Sequence, residues 1–293
     1  MNLDLPPTIH PVFLPGAAAD VPAEPTDHCL VVADGKLLVR PDGELPRVAD
    51  LPAEPGPPGR SDRPGLVPLG TLDGVPVWAA AREKADATLG NWLGWRELAA
   101  GLPEPLAALA GRALQVVTWR RSHRYCGACT AELADVPGEH ARRCPDCQLY
   151  VPMQLSPAVL VAIRRPGPPG AAEQLLLVRH SYGPTEVWAL VAGFVEAGET
   201  LEQAVHREVA EEVGLRVDRL TYFGSQPWAM SGPGVVLAGF TAYCPDPAAE
   251  PVVDGRELTQ ARWFPLDALP KALPPTYSIS RWLVESVRAP ATT

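Results

Sequence analysis

Gly193-Phe-Val-Glu-Ala-Gly-Glu199-Thr-Leu-Glu-Gln-Ala-Val-His-Arg207-Glu208-Val-Ala-Glu211-Glu212-Val-Gly214-Leu215 is the stretch on which the reading turns. Thr200 can cap a helix, and Gln203 three residues later completes a capping box. Gly214 stands where a helix stop belongs. At about 100° per residue, Glu208, Glu211 and Glu212 fall at about 0°, 300° and 40°, one sector roughly 100° wide. Leu201, Val205, Val209 and Val213 form the adjoining apolar stripe, while Gln203, His206 and Ala210 lie on the far side. The three carboxylates are thus expected at the edge of the buried face. Like charges packed together should raise one another's pKa and destabilise the helix unless compensated. A hard divalent cation, Mg²⁺ or Mn²⁺, compensates directly, because such ions prefer carboxylate oxygens. It also polarises phosphates and activates water. The bland alternative is a solvated glutamate-rich helix face.

Outward from this helix, alternating strand signals define an α/β half. Ala158 to Arg164, Gln174 to Arg179 and Glu186 to Val191 read as strands, with Pro166-Gly-Pro-Pro-Gly170 as a turn. Tyr222 to Ser225 and Val235 to Cys244 read as later strands, and Ser278 to Val287 as a terminal helix. Upstream, Asp34-Gly35 centres a hairpin. Residues 41–68 carry eight prolines and read as a surface excursion. Asp86 to Ala113 suggests short helices interrupted by Pro103 and Pro105. No internal repeat is legible.

Four of the six cysteines form two knuckles, Cys126-Gly-Ala-Cys129 and Cys144-Pro-Asp-Cys147, with fourteen residues between them. That spacing predicts a structural zinc site with all four positions filled by thiolates. A duplicated redox motif would not keep this spacing. Cys29 and Cys244 sit in apolar runs and read as small buried hydrophobes.

The whole chain has 293 residues, 46% hydrophobic and 20% charged, with 35 prolines and a net charge of −9. The hydrophobic and charged fractions are ordinary globular usage for two domains or so, while proline is well above average and predicts long irregular connections. No window suits a membrane span, and the start MNLDLPPTIH has no secretory pattern, so a cytoplasmic location is expected. The acidic balance argues against a nonspecific nucleic-acid binder. A polyanionic substrate would need a metal ion to neutralise it.

The quoted stretch resembles the box of the Nudix hydrolases, G-x5-E-x7-R-E-U-x-E-E-x-G-U, at Gly193, Glu199, Arg207, Glu208, Val209, Glu211, Glu212, Gly214 and Leu215. From average residue usage, a chance match in this chain is below about one in a million. With the cysteine knuckles and Ser225-Gln226-Pro227-Trp228, the chain is similar to the zinc-ribbon NADH pyrophosphatase family, from about Ala113 onward. The resemblance implies an α/β/α Nudix sandwich (155–293), a zinc ribbon (122–152) and an α+β N-terminal domain (1–115), as a homodimer. It implies cleavage of NADH or NAD⁺ to nicotinamide mononucleotide and AMP, and removal of NAD caps from RNA. Glu199 would fix Arg207, and Glu208, Glu211 and Glu212 would bind metal or serve as base. The Mg²⁺ or Mn²⁺ ligands implied are Glu208, Glu212, Glu257 and the Ala192 carbonyl, with Glu250 and Asp254 as near alternatives to Glu257. Phe194, Gln226, Pro227, Trp228 and Ser280 are the implied substrate contacts.

Two segments depart from the family pattern. After Trp228 the chain runs Ala229-Met230-Ser231-Gly232-Pro233-Gly234 in place of P-F-P-x-S, and Tyr150 is out of register for the Tyr-Pro pair expected after the last knuckle. An altered pocket wall with an intact hydrolytic core predicts weaker preference for NADH. Two other readings compete: a Nudix hydrolase of another nucleotide such as ADP-ribose, and a silent nucleotide- or partner-binding module. The silent module would have no need of four box glutamates and Arg207.

Overall fold

The computed structural model describes residues 12–16, 22–40, 45–51, 65–230, 234–253 and 255–288. The chain divides into two compact units, 1–154 with 229–234, and 155–228 with 235–293.

The second unit is built on a mixed sheet. Its strands are β10 (Ser156–Arg165), β11 (Gln174–His180), β12 (Val191–Phe194), β13 (Asp218–Trp228), β14 (Val235–Tyr243) and β15 (Leu258–Pro265). The order is β13-β14-β10-β11-β15, with β12 also pairing β10. β10 runs parallel to β14, and its other pairings are antiparallel. Helices α3 (Leu201–Val213) and α4 (Ile279–Arg288) cover opposite faces. Val205, Val209 and Val213 pack with Val159, Val161 and Phe240 in one core. Ile279, Leu283 and Val284 pack with Leu160, Ala162 and Leu175 in the other. Alternate residues of β10 therefore feed alternate cores, as the pleat requires. This is the α/β/α sandwich expected from the sequence.

The expected strand at Glu186 to Val191 is displaced. Only Val191 belongs to β12, and Ala189 makes an isolated bridge to Val178. The run is apolar because Trp188 and Leu190 are core side chains, not because it continues a ladder. β13 is longer than expected, and β15 carried no clear signal in the sequence.

The first unit contains β1 (Phe13–Pro15), β2 (His28–Ala33), β3 (Lys36–Val39), β4 (Leu66–Leu72), β5 (Val75–Ala81) and β6 (Asn91–Gly94), in the order β1-β4-β5-β2-β3-β6. Asp34 and Gly35, at φ 50° and 70°, form the expected tight hairpin. The proline-rich excursion ends earlier than expected, because β4 already starts at Leu66; Pro68 sits at a register shift, where a missing N–H is tolerated. Much of the excursion, 41–44 and 52–64, lies outside the described residues. Helices α1 (Trp95–Gly101) and α2 (Glu104–Ser122) follow. Pro105 lies in the first turn of α2 rather than breaking a helix, so α2 runs past Ala113 to Ser122. The ribbon closes this unit with β7 (Ala134–Asp135), β8 (Ala141–Arg143) and β9 (Tyr150–Pro152).

A repeat invisible in the sequence appears in the pairings. β2-β3 and β10-β11 are antiparallel hairpins; β5 and β14 lie parallel to the first strand of each. β4 and β13 pair antiparallel to those, and β6 and β15 to the hairpin's second strand. Even the closing bonds match: Arg82 N–H donates to Val32 at 2.8 Å, and Cys244 N–H to Arg164 at 2.7 Å. The first unit thus repeats the sheet of the second. Among its described residues, a single 3-10 turn at Val48–Asp50 is the only helical element between β3 and β4, where the second unit carries α3.

Candidate functional site

Helix α3 begins as its sequence dictates. The Gln203 N–H donates to Thr200 Oγ1 at 3.2 Å, and the Thr200 N–H to Gln203 Oε1 at 2.8 Å. Gly214 ends it in the left-handed region at φ 65°. With Val205, Val209 and Val213 fully buried, Glu212 is drawn in to 3% exposure and Glu208 to 9%. Glu211 is not drawn in: its side chain is 62% exposed. The expected three-carboxylate sector therefore splits into two buried acids and one at the surface.

Glu208 rests on Gly193. A Cβ at residue 193 would lie 2.0 Å from Glu208 Cδ and 2.1 Å from its Oε1. Gly193 is thus required as a cradle for a carboxylate, rather than for loop freedom. Its place is set by β12, where Gly193 pairs with Val159 and Ala192 with Leu160.

Arg207 carries five N–H donors, and each has an acceptor. Nε and Nη2 grip both oxygens of Glu199 at 2.6 and 2.8 Å. Nη2 also donates to the Phe194 carbonyl at 2.8 Å, and Nη1 to Glu208 at 2.8 Å and Glu211 at 3.1 Å. The residue expected to be fixed by Glu199 is therefore a fully committed brace joining β12 to α3. The Arg207 hydrogen bonds, with the Glu196 N–H at 3.0 Å, hold the Glu199 carboxyl down to about 2. Glu208 is raised, and burial is the first cause; Arg207 opposes it, and the charges of Glu211 and Glu257 add to it. The expected mutual repulsion is present but is not the leading cause.

Glu257 precedes β15, and its carbonyl accepts from the Ser181 N–H at 2.8 Å. Its charge acts on Glu208 and on the Tyr182 hydroxyl, as do those of Glu208 and Glu212 on the latter. Of its alternatives, Glu250 pairs with Arg165 at 3.1 Å, and Asp254 lies outside the described residues. Tyr182 and His180 went unnoticed in the sequence: His180 is the last residue of β11, and Tyr182 stands in the turn after it, which shows no pattern.

The expected substrate contacts separate into rings and braces. Phe194 is 53% exposed, its backbone held by Arg207. Trp228 ends β13, half-buried, behind an exposed Pro227. Gln226 has both amide groups engaged: Nε2 donates to the Tyr277 carbonyl and Oε1 accepts from the Ile279 N–H, each at 2.8 Å. Its amide therefore ties β13 to the start of α4. Ser280 lies in the first turn of α4, partly buried. Tyr150, in the ribbon, donates to Glu139.

The four knuckle sulfurs all lie within 4.8 Å of one another, and all four cysteines are free thiols. Cys126 and Cys147 approach to 3.5 Å, and Cys129 and Cys144 to 3.3 Å. Tetrahedral zinc, with Zn–S near 2.3 Å, needs sulfurs about 3.8 Å apart, so the cluster fits. Backbone N–H groups push the Cys126 and Cys144 thiols down, while the sulfurs beside them push Cys129 and Cys147 up. Cys29 and Cys244 are buried as expected. Metal analysis after exhaustive dialysis against a weak chelator should find one zinc per chain. Four freely reactive native thiols and no zinc would refute this.

Three domain families match the chain: the NUDIX domain over 154–283, the NADH pyrophosphatase-like rudimentary NUDIX domain over 26–119, and the NADH pyrophosphatase zinc ribbon domain over 121–150. The chain is 38% identical over 269 residues to the NAD-capped RNA hydrolase NudC of Deinococcus radiodurans, covering 92% of this chain and 90% of that protein. The chain belongs to the NudC family of Nudix hydrolases. Another NudC relative, the NAD-capped RNA hydrolase of Escherichia coli K12, is 36% identical over 88% of this chain and 92% of its own. Among solved structures, a MutT NUDIX hydrolase from Burkholderia pseudomallei is 29% identical, with a TM-score of 0.38 over 46% of this chain and 98% of its own. The rudimentary NUDIX match coincides with the repeated sheet of the first unit. Among the described residues, no helix is long and apolar enough to cross a membrane.

Proposed function

We propose that this NudC-family protein hydrolyses the pyrophosphate of NADH and NAD⁺ to the nicotinamide mononucleotide and AMP, and removes NAD caps from RNA. The observation that carries the reading is the burial of Glu208 and Glu212 on one face of α3, in a chain related to NudC over nine-tenths of its length. With Glu257, these residues fit a hard divalent cation: the donors are carboxylates, two are buried, and Gly193 leaves room for one of them. Glu208, Glu212, Glu257 and the Ala192 carbonyl would hold Mg²⁺ or Mn²⁺. When bound, the cation supplies polarisation of the pyrophosphate and a more acidic water.

The chain's own groups do the rest. Arg207 and Glu199 keep Glu208 aimed from α3 toward β12. Phe194 and Trp228 offer faces for stacking a base or nicotinamide, a contact of about 1–3 kcal/mol. Gln226 holds the α4 turn, with Ser280, against the strand that ends in Trp228. A homodimer in the cytoplasm belongs to the same reading, from the family resemblance.

A nucleotide panel with Mg²⁺ or Mn²⁺ tests it: NADH, NAD⁺, ADP-ribose and NAD-capped RNA, with products resolved by chromatography. ADP-ribose cleaved far faster than NAD⁺ and NADH would transfer the assignment to another Nudix substrate. Within the panel, kcat/KM for NADH over NAD⁺ should lie near unity. Met230 is a flexible gap-filler where the family places a stacking aromatic; Ser231, Gly232 and Pro233 lie outside the described residues. Loss of one such contact costs roughly 10- to 100-fold in affinity. A preference for NADH above about 100-fold leaves no room for that loss.

A further inference from the structure

The carboxylate site has to accept a pyrophosphate, yet the obvious side-chain donors around it are already used. Arg207 has an acceptor for each of its five N–H groups, and the amide of Gln226 is engaged at both ends. Tyr182 is different. Among the described residues its hydroxyl donates no hydrogen bond within the protein, and the residue is 60% exposed.

Its position is nevertheless held tightly. Ser181 donates from N–H to the Glu257 carbonyl and from Oγ to the Arg256 carbonyl, each at 2.8 Å. Before the turn, Arg179 Nη2 donates to the Glu186 carbonyl at 3.2 Å. The Tyr182 ring leans on His180 at 5.0 Å between centroids, with 37° between planes. A backbone hydrogen bond at Leu190 holds the His180 imidazole in turn. The turn is thus fastened to the same segment that presents Glu257. An exposed aromatic fixed this way adds little to the core, so its precise placement calls for another reason.

We propose that Tyr182 is a substrate-contacting residue, its hydroxyl donating a hydrogen bond to a phosphate oxygen of the pyrophosphate held at the Glu208, Glu212 and Glu257 site. The inference rests on the pyrophosphatase reading and deepens it. Glu208, Glu212 and Glu257 can only accept hydrogen bonds when ionised. An anionic substrate beside them needs a donor as well as a cation. The phenol suits this because it is neutral and cannot be drawn into an ion pair with the acids. A phenol keeps its proton throughout the neutral range, so the hydroxyl is available as a donor.

The test is Tyr182→Phe in the full-length protein, which removes one oxygen and keeps the ring on His180. A lost donor to a charged acceptor should lower kcat/KM roughly 10- to 100-fold, with the melting temperature unchanged. AMP binding with Mg²⁺, measured by calorimetry, should weaken by a similar factor, a readout independent of turnover. Values of kcat/KM and AMP affinity within twofold of wild type would overturn the proposal. So would a loss seen only in Tyr182→Ala, which would assign the contact to the ring. The variant is scored on whichever pyrophosphate the wild type cleaves best. Failure of the NAD reading, visible in the wild-type panel, is thereby separate from failure of the Tyr182 contact.

Discussion

Glu212→Gln is expected to lower kcat at least about 100-fold, the lower range for losing a central acid–base or charge-bearing group, while the protein stays folded. Glu212 is 3% exposed, and both carboxylate oxygens are shielded from solvent. Glutamine fills the same volume, so no cavity forms among Val209, Val213 and their neighbours. What changes is charge. A buried carboxylate is costlier to desolvate than the amide that replaces it. The metal-free variant should therefore melt at the wild-type temperature or above it. The stabilisation that Mg²⁺ or Mn²⁺ confers on the wild type should shrink, because fewer charges face the cation. Melting curves with and without metal, beside steady-state hydrolysis, separate the two effects. Turnover near the wild-type value by the folded variant would remove Glu212 from the site.

Gly193→Ala should be nearly as damaging, although it adds a single methyl group. The added carbon would sit 2.0 Å from Glu208 Cδ, far inside any real contact. Something must move. The Glu208 carboxylate is held by Arg207, and Arg207 by Glu199 and the Phe194 carbonyl, so the strain spreads through the brace. Overpacking of this kind costs about 1–3 kcal/mol. Displacing one cation-facing carboxylate should lower kcat at least about tenfold, since small misplacements of reacting groups cost that and more. Metal affinity, measured by titration of Mn²⁺, should fall with it. Unchanged activity and unchanged metal affinity would mean that Glu208 has no role at the cation.

Much of the candidate site was legible in the sequence because its signals are local. The cap at Thr200, the stop at Gly214 and the valine stripe are spaced by the helix itself, and the knuckles by the turn geometry that zinc demands. Each needs only a few consecutive residues to specify it. The buried position of Glu208 and Glu212 follows from the same periodicity. Glu211 escapes it because its place at the far edge of the sector faces solvent once the helix is docked.

Tertiary structure decided what depends on residues distant in the chain. That Gly193 cradles Glu208, and that Arg207 has no N–H left for a substrate, follow from how β12 registers on β10 beside α3. Gln226 offers an amide that would suit a ligand; the start of α4, over fifty residues on, takes both ends of it. Tyr182 became visible only when a turn without pattern was fastened to the segment of Glu257. The repeated sheet of the first unit shows no legible internal repeat in the chain for a related reason. Strand order is held by backbone hydrogen bonds, which every residue but proline can make, so side chains can diverge while the topology stays. Periodicity and spacing picked out the candidate groups. Long-range packing decided which of them are free to act.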